Sequence, residues 1–513
     1  MGRSMEATSL VELGLVACAV ALGTYFFRVP YTIGLVLAGL ALSFFHALEI
    51  HLSKELILLL FLPPLLFEGA LHMELGQLRR YATPVGFLAL AGTLITALLI
   101  AAGAHYGLGL PWSFALLLGV ILSPTDPVSV LAMFKQYGAP KGLQTVLEGE
   151  SVFNDGIGIV LYLIVLQGIA GPPVGLGEGV LEFLKVALGG AAVGFALGYL
   201  VHRLLGQIND HLTEVMISVV LAFGSYILAE NLHFSGVVST VVAGLIIGNY
   251  GTVFSMSPTT RLSLLNFWAV VAFLANSAVF LLIGLDFDLA RAGGNAVAIG
   301  VTVLLVLLAR TLAVYSLLPL SNRLVRPSRR IPWAWMHAIN WGGLRGTIPI
   351  ALVLGLEPGL RQVGGVHLTT VVFAVALFSL VVQGLSMKPL LQRLGLIGVS
   401  AERLEYETQL ARTIALGAAL EEARQLEQRG EASPELLEAT RQRLAEEREA
   451  VLRDLDQAVH SRESLRDHEA LRLQRHLGLT QRAAVADALR RGLISEEAAA
   501  TLSEELDAQL EEG

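Results

Sequence analysis

The chain has 513 residues, 54% of them hydrophobic and 15% charged, with a formal net charge of -8 and a mean hydropathy of +0.65. No soluble fold could cover this much apolar surface, so composition excludes soluble enzymes and nucleic-acid-binding domains and leaves a polytopic, all-α membrane protein. The charge is uneven: residues 401–513 hold 15 Arg and 25 Asp or Glu, a net of -10, which leaves +2 for the hydrophobic part.

Apolar windows separated by Pro, Gly and charge clusters predict about thirteen membrane-spanning helices. In chain order they fall near 7–27, 31–46, 53–72, 84–106, 112–134, 143–169, 179–204, 212–230, 235–250, 262–285, 294–318, 331–355 and 366–390. The first lacks a signal-peptide cleavage site and reads as a span; it carries the single cysteine, Cys18, which excludes an intramolecular disulfide and any Cys/His metal spacing. The second and ninth are short enough to be half-buried instead of spanning. An odd count puts the termini on opposite sides. Loops on the side of the C-terminal tail carry Arg79, Arg80, Lys135, Lys141, Arg203, Arg323, Arg326, Arg329, Arg330 and Lys388, whereas the other side has few basic residues. The positive-inside rule therefore places the tail in the cytoplasm and the N-terminus outside.

The domain boundary follows: residues 1–398 form a transmembrane domain and residues 399–513 a cytoplasmic helical tail. Ser433 followed by Pro434 and Glu435 reads as a helix start in that tail.

Counting about 1.5 Å per residue, Glu68, Asp126, Asp155 and Arg345 fall near the midplane on four different spans. A carboxylate at that depth costs roughly 3 kcal/mol on insertion scales, which marks it as a functional candidate. Glu150 and Arg310 lie shallower, at similar depths, and form the natural buried ion pair, with a structural role. Two spans are expected to break. Pro124 and Pro127 in LSPTDPV remove backbone donors, and Gly342, Gly343, Gly346 and Pro349 weaken WGGLRGTIP. Breaks in corresponding halves suggest two inverted repeats with crossed broken helices. Asp126 would then neutralise the positive half-helix ends and Arg345 the negative ones, both as structural charges.

Ser151, Asn154 and Asp155, at i, i+3 and i+4, share one helix face. With Thr125 beside the break and Glu68, they offer oxygen ligands around one principal carboxylate, a set suited to a hard cation of low charge. Desolvation favours the protonated form of Asp155, so a proton can displace that cation. Competition at one carboxylate with alternating access suffices for antiport. Ordinary interhelical hydrogen bonding is the structural reading of Ser151 and Asn154.

These segments resemble the monovalent cation/proton antiporters of the sodium/proton exchanger type. The match runs through LPPLLFEGAL around Glu68, SPTDPVSVLAMF around Asp126, GESVFNDGIGIVLY around Asp155, LLARTLAVY around Arg310 and GGLRGTIPIAL around Arg345, in order over roughly residues 10–395. The resemblance implies a homodimer in the cell membrane with a mobile core working by an elevator-like movement. It also implies that Asp155 carries the monovalent cation, sodium or lithium foremost, and the proton, with Thr125, Ser151 and Glu68 as ligands and no further cofactor. The Asn154-Asp155 pair implies electroneutral one-for-one exchange. Potassium/proton exchange on the same fold is the nearest alternative. A cation channel lacks a filter signature here, and an intramembrane aspartyl protease lacks its GxGD motif.

Overall fold

The computed structural model describes residues 14–23, 31–44, 60–171, 175–208, 210–256, 258–285, 289–397, 401–429, 433–461 and scattered positions between 473 and 502. The flanks of the first predicted span and the start of the third lie outside these residues. The chain divides into two compact units, Met1–Ile397 and Gly398–Gly513.

The first unit is built from apolar helices. In chain order they are α1 (Gly14–Gly23), α2 (Tyr31–Phe44), α3 (Leu62–His72), α4 (Leu75–Arg80), α5 (Ala82–Leu108), α6 (Trp112–Ile121), α7 (Val128–Tyr137), α8 (Lys141–Ala170) and α9 (Leu176–Leu205). There follow α10 (His211–Asn231), α11 (Gly236–Ile246), α12 (Pro258–Leu285), α13 (Leu289–Gly294), α14 (Ala296–Leu324), α15 (Trp333–Gly342), α16 (Thr347–Leu354) and α17 (Leu368–Arg393). A two-stranded hairpin, β1 (Gln362–Val363) with β2 (Val366–His367), precedes α17. Among the described residues, seven helices are long and apolar enough to cross a membrane unaided. Others, such as α2, α6 and α11, are shorter apolar segments.

Helix ends follow local chemistry. Asp210 accepts the N–H of Thr213 at 3.0 Å and starts α10, and Ser235 accepts that of Val238 at 3.2 Å and starts α11. Gly109 and Gly138 end α5 and α7 at φ 68° and 70°, a backbone conformation open to glycine at no steric cost. Gly190, Gly194 and Gly198 line the contact of α9 with α11, where a Cβ at Gly194 would collide with the carbonyl oxygen of Ser239. Small residues thus let the two backbones touch, the usual basis of helix association in lipid.

Both predicted interruptions are present. Residues 122–127 separate α6 from α7, and residues 343–346 separate α15 from α16. The breaks face each other: the N–H of Asp126 donates to the carbonyl of Leu344 at 2.8 Å. Freed backbone groups are tolerated at this depth only when protein satisfies them, and each break supplies partners for the other.

The second unit contains a helical hairpin of α18 (Ala401–Arg429) and α19 (Pro434–Ser461). Tyr406, Leu410 and Leu455 pack between its arms, and Arg441 bonds Glu427 across them at 2.9 Å.

Candidate functional site

Asp126 sits in the first break, and its carboxylate faces two helix starts. Oδ1 accepts the N–H of Val128 at 3.0 Å and Oδ2 that of Thr347 at 3.2 Å, the first residues of α7 and α16. One negative charge thus satisfies orphan donors at two positive half-helix ends. Gly346 permits this approach, because a Cβ there would overlap the Asp126 carboxylate. Arg345 does the converse for α6. Its Nη1 donates to the carbonyls of Ser123 and Pro124 at 2.8 and 2.9 Å, and its backbone is pinned by Ser379 Oγ at 3.0 Å. Arg345 is completely buried.

Glu150 pairs with Arg310 on α14, not with Arg345. Both guanidinium ends engage the carboxylate, Nη2 at 2.9 Å from Oε2, and Nη2 also donates to the carbonyl of Ile339 at 2.9 Å. This bidentate pair cross-braces α8, α14 and α15, and its planar guanidinium geometry gives specificity as well as energy.

Against the break between α6 and α7, the helix α8 presents Ser151, Asn154 and Asp155. Ser151 Oγ donates to the Thr125 carbonyl at 2.7 Å. Asn154 brackets the same residue: its Nδ2 donates to Thr125 Oγ1 at 2.8 Å and its Oδ1 accepts the Thr125 N–H at 3.3 Å. Thr125 is thereby held by three hydrogen bonds from α8. Asp155 differs from both neighbours. It is 9% exposed, and its Oδ1 has no hydrogen-bond partner among the described residues.

A cavity of about 320 Å³ joins these groups. Its polar wall consists of Glu68, His72, Asp126, Glu148, Ser151, Asp155, Asn276 and Thr347, with Leu65, Leu66, Val152, Ala272, Phe273 and Ile348 among the apolar residues. Among the described residues no Lys or Arg lines it, and its four carboxylates favour anything small and positive. From Asp155 the wall runs toward the end of the bundle that carries His72 and Lys141. On the other side of Asp155 the helices close: the Tyr162 hydroxyl donates to the carbonyl of Leu352 at 3.0 Å, and Arg361 donates to the last carbonyl of α16, Leu354, at 2.7 Å and to that of Leu356 just beyond it at 2.9 Å.

The structure therefore brings Glu68, Asp126, Ser151 and Asp155 to one cavity. Thr125 and Asn154 lie behind its wall, turned toward each other, because the break leaves Thr125 with backbone groups that the Asn154 amide satisfies. Glu68 lies beside His72, with Oε1 3.3 Å from Nδ1 one helical turn away. The reading of the sequence did not single out Asn276 or the wall position of Thr347. Asn276 did carry a signal, as a polar amide in the middle of the apolar run NFWAVVAFLANSAVF. Among the described residues no group of three or more His, Cys, Asp and Glu is arranged to hold a resident metal.

Comparison with known proteins places this architecture. Residues 13–393 match the sodium/hydrogen exchanger transmembrane family. The chain is 39% identical over 447 residues to the Na(+)/H(+) antiporter NhaG of Bacillus atrophaeus, covering 82% of each protein. It is 38% identical over 415 residues to the Na(+)/H(+) antiporter ApNhaP of Aphanothece halophytica, covering 79% of this chain and 77% of that one. Among solved structures, the sodium proton antiporter MjNhaP1 of Methanocaldococcus jannaschii superposes with a TM-score of 0.63 at 21% identity, over 77% of this chain and 99% of that one. A multi-pass helical bundle with two interrupted spans meeting at an acidic cavity, matched over this length, belongs to the sodium/hydrogen exchanger family of membrane transporters.

Proposed function

We propose that this protein is a secondary active antiporter that exchanges a monovalent cation, sodium foremost and lithium with it, for protons across the cell membrane. The observation that carries this reading is Asp155, a buried carboxylate with an unpartnered oxygen at the inner end of an acidic cavity. A carboxylate stripped of water is stable only when neutralised, and a proton or a monovalent cation does so equally in charge. Asp155 holds one or the other, never both, and that exclusion couples the two fluxes.

The remaining residues divide between ligands and frame. Glu68 and Ser151 reach the cavity beside Asp155 and complete the oxygen set around the cation. Asn154 and Thr125 hold the break in register with α8. Asp126 and Arg345 neutralise the half-helix ends, and Glu150 with Arg310 braces the core. One carrier carboxylate paired with a neutral asparagine gives one proton for one cation, an electroneutral exchange. The cavity lies on the side of Asp155 toward the Lys141 end of α8, so this conformation faces the cytoplasm when the basic loops are inside. An elevator-like movement of the core then exposes Asp155 to the other side. The exposed apolar face of α9, with Leu181, Leu184, Leu188, Phe195 and Leu200, supports a homodimer. Residues 399–513 are proposed as a cytoplasmic module that tunes transport without taking part in it.

Proteoliposomes with an imposed pH gradient test the reading. Lumenal pH is followed as sodium, lithium or potassium is added, with and without a clamped membrane potential. A cation-dependent pH change unaffected by the clamp is expected. Cation flux driven by voltage without proton movement would replace the antiporter with a channel.

A further inference from the structure

We propose that the turn between the end of α14 and the start of α15 is a binding platform for the headgroup of an anionic glycerophospholipid. The platform needs only that α14 crosses a bilayer, whatever ion the protein carries.

Charge comes first. From Leu289 to Leu356 the chain has seven arginines and no Asp, Glu or Lys. Arg310 and Arg345 are buried inside the bundle, and Arg291 lies at the opposite end of α14. The other four, Arg323, Arg326, Arg329 and Arg330, fall within eight residues, and Arg323, Arg326 and Arg330 are exposed.

The segment is a built turn. Asn322 clamps both backbone groups of Ile331: Nδ2 donates to its carbonyl at 2.9 Å and Oδ1 accepts its N–H at 2.8 Å. Between them a single 3-10 turn, Pro327–Arg329, is closed by the N–H of Arg329 on the carbonyl of Arg326 at 2.9 Å. The backbone under the arginines is thus already ordered, and a ligand need not supply the entropy of ordering it.

Its depth is marked on both flanks. Leu312, Leu320 and Leu324 are exposed on the half of α14 next to this turn, apolar surface suited to acyl chains. Trp333, 62% exposed, stacks on Tyr315 at a centroid distance of 6.3 Å. Trp335 meets Tyr81 at 6.1 Å, and the Arg80 guanidinium lies 5.9 Å from that same ring. Tryptophan and tyrosine settle at the headgroup level, so the arginine turn sits where lipid phosphates lie. A lipid with its acyl chain along Leu312, Leu320 and Leu324 would bring its phosphate among Arg323, Arg326 and Arg330. Each basic side chain near an anionic surface is worth about fivefold in affinity.

The test uses the full-length protein in detergent micelles, titrated with phosphatidylglycerol, with phosphatidylcholine and with inorganic phosphate, and read by native mass spectrometry. Saturable phosphatidylglycerol binding is expected, with phosphatidylcholine at least about tenfold weaker. The variant R323Q/R326Q/R330Q should bind about a hundredfold more weakly. The variant R323K/R326K/R330K should stay within about tenfold of the parent, which separates lost charge from lost fold. Micelles impose no insertion orientation, so a purely topological role for these charges would leave every reading unchanged. Equal binding by the glutamine variant and the parent, or by the two lipids, overturns the proposal. Displacement of the lipid by millimolar inorganic phosphate makes this a site for a free anion and overturns it as well.

Discussion

Asp126 and Thr347, 221 residues apart in the chain, join the two interrupted spans: the Asp126 carboxylate accepts the N–H of Thr347 at 3.2 Å while also capping α7 through Val128. One carboxylate therefore ties the two breaks together beside the acidic cavity. Asp126→Ala should remove both caps, each worth about 0.5–2 kcal/mol, and lower stability by their sum. Chemical unfolding in detergent measures this. An unchanged midpoint would show that the breaks hold each other without the charge.

Asp155→Asn should abolish exchange and leave the unfolding midpoint at or above that of the parent. An unpartnered buried carboxylate is a net cost to the fold, and the neutral amide removes it. Proteoliposome transport and thermal unfolding are measured on the same preparation. Persisting exchange would remove Asp155 as carrier.

Glu150→Ala and Arg310→Ala should each cost about 3–5 kcal/mol, because either change strands the partner's charge inside the bundle. The double variant should cost clearly less than the two single variants together. Strict additivity in the cycle would mean that the pair is uncoupled despite its geometry.

Gly158→Ala places a methyl group about 2.5 Å from Pro124 Cγ, against the wall of the first break. Overpacking of this kind costs about 1–3 kcal/mol, and it should also slow exchange because Pro124 cannot yield without moving the break. A variant with parental stability and rate would show that α8 slides freely past Pro124.

Ending the chain near residue 398 should preserve cation-dependent proton movement and alter its dependence on pH or cation concentration. Transport assays on the shortened protein decide the matter. Failure to assemble would make the second unit structural.

What could be read from the sequence was whatever depends on distance along the chain. Apolar run lengths located the helices, prolines and glycines located the two breaks, and counting residues assigned Glu68, Asp126, Asp155 and Arg345 to a common depth. Spacing of three and four put Ser151, Asn154 and Asp155 on one face of α8, since helical periodicity is a local property. Depth, however, leaves the rotation of each helix and the order of its neighbours open.

Those two quantities belong to the packed bundle, and they settled the partners. Depth favoured Arg310 over the deeper Arg345 as the partner of Glu150 but left open where either side chain turns. Packing turned Arg310 toward the carboxylate and Arg345 onto the carbonyls of Ser123 and Pro124. Asn154 was directed to Thr125 and Asp155 to the cavity, although the two are adjacent in the chain. His72, Asn276 and Thr347 joined the cavity wall from three other helices, a meeting that no local pattern announces even where, as at Asn276, a polar residue in an apolar run stands out. The sequence by itself determined a helical membrane bundle with two broken spans and charged residues inside its apolar runs, because hydropathy, proline and helical period act residue by residue. Only the tertiary structure decided which charges neutralise one another and which carboxylate is left unpartnered, because that depends on side chains from helices hundreds of residues apart competing for the same few ångströms.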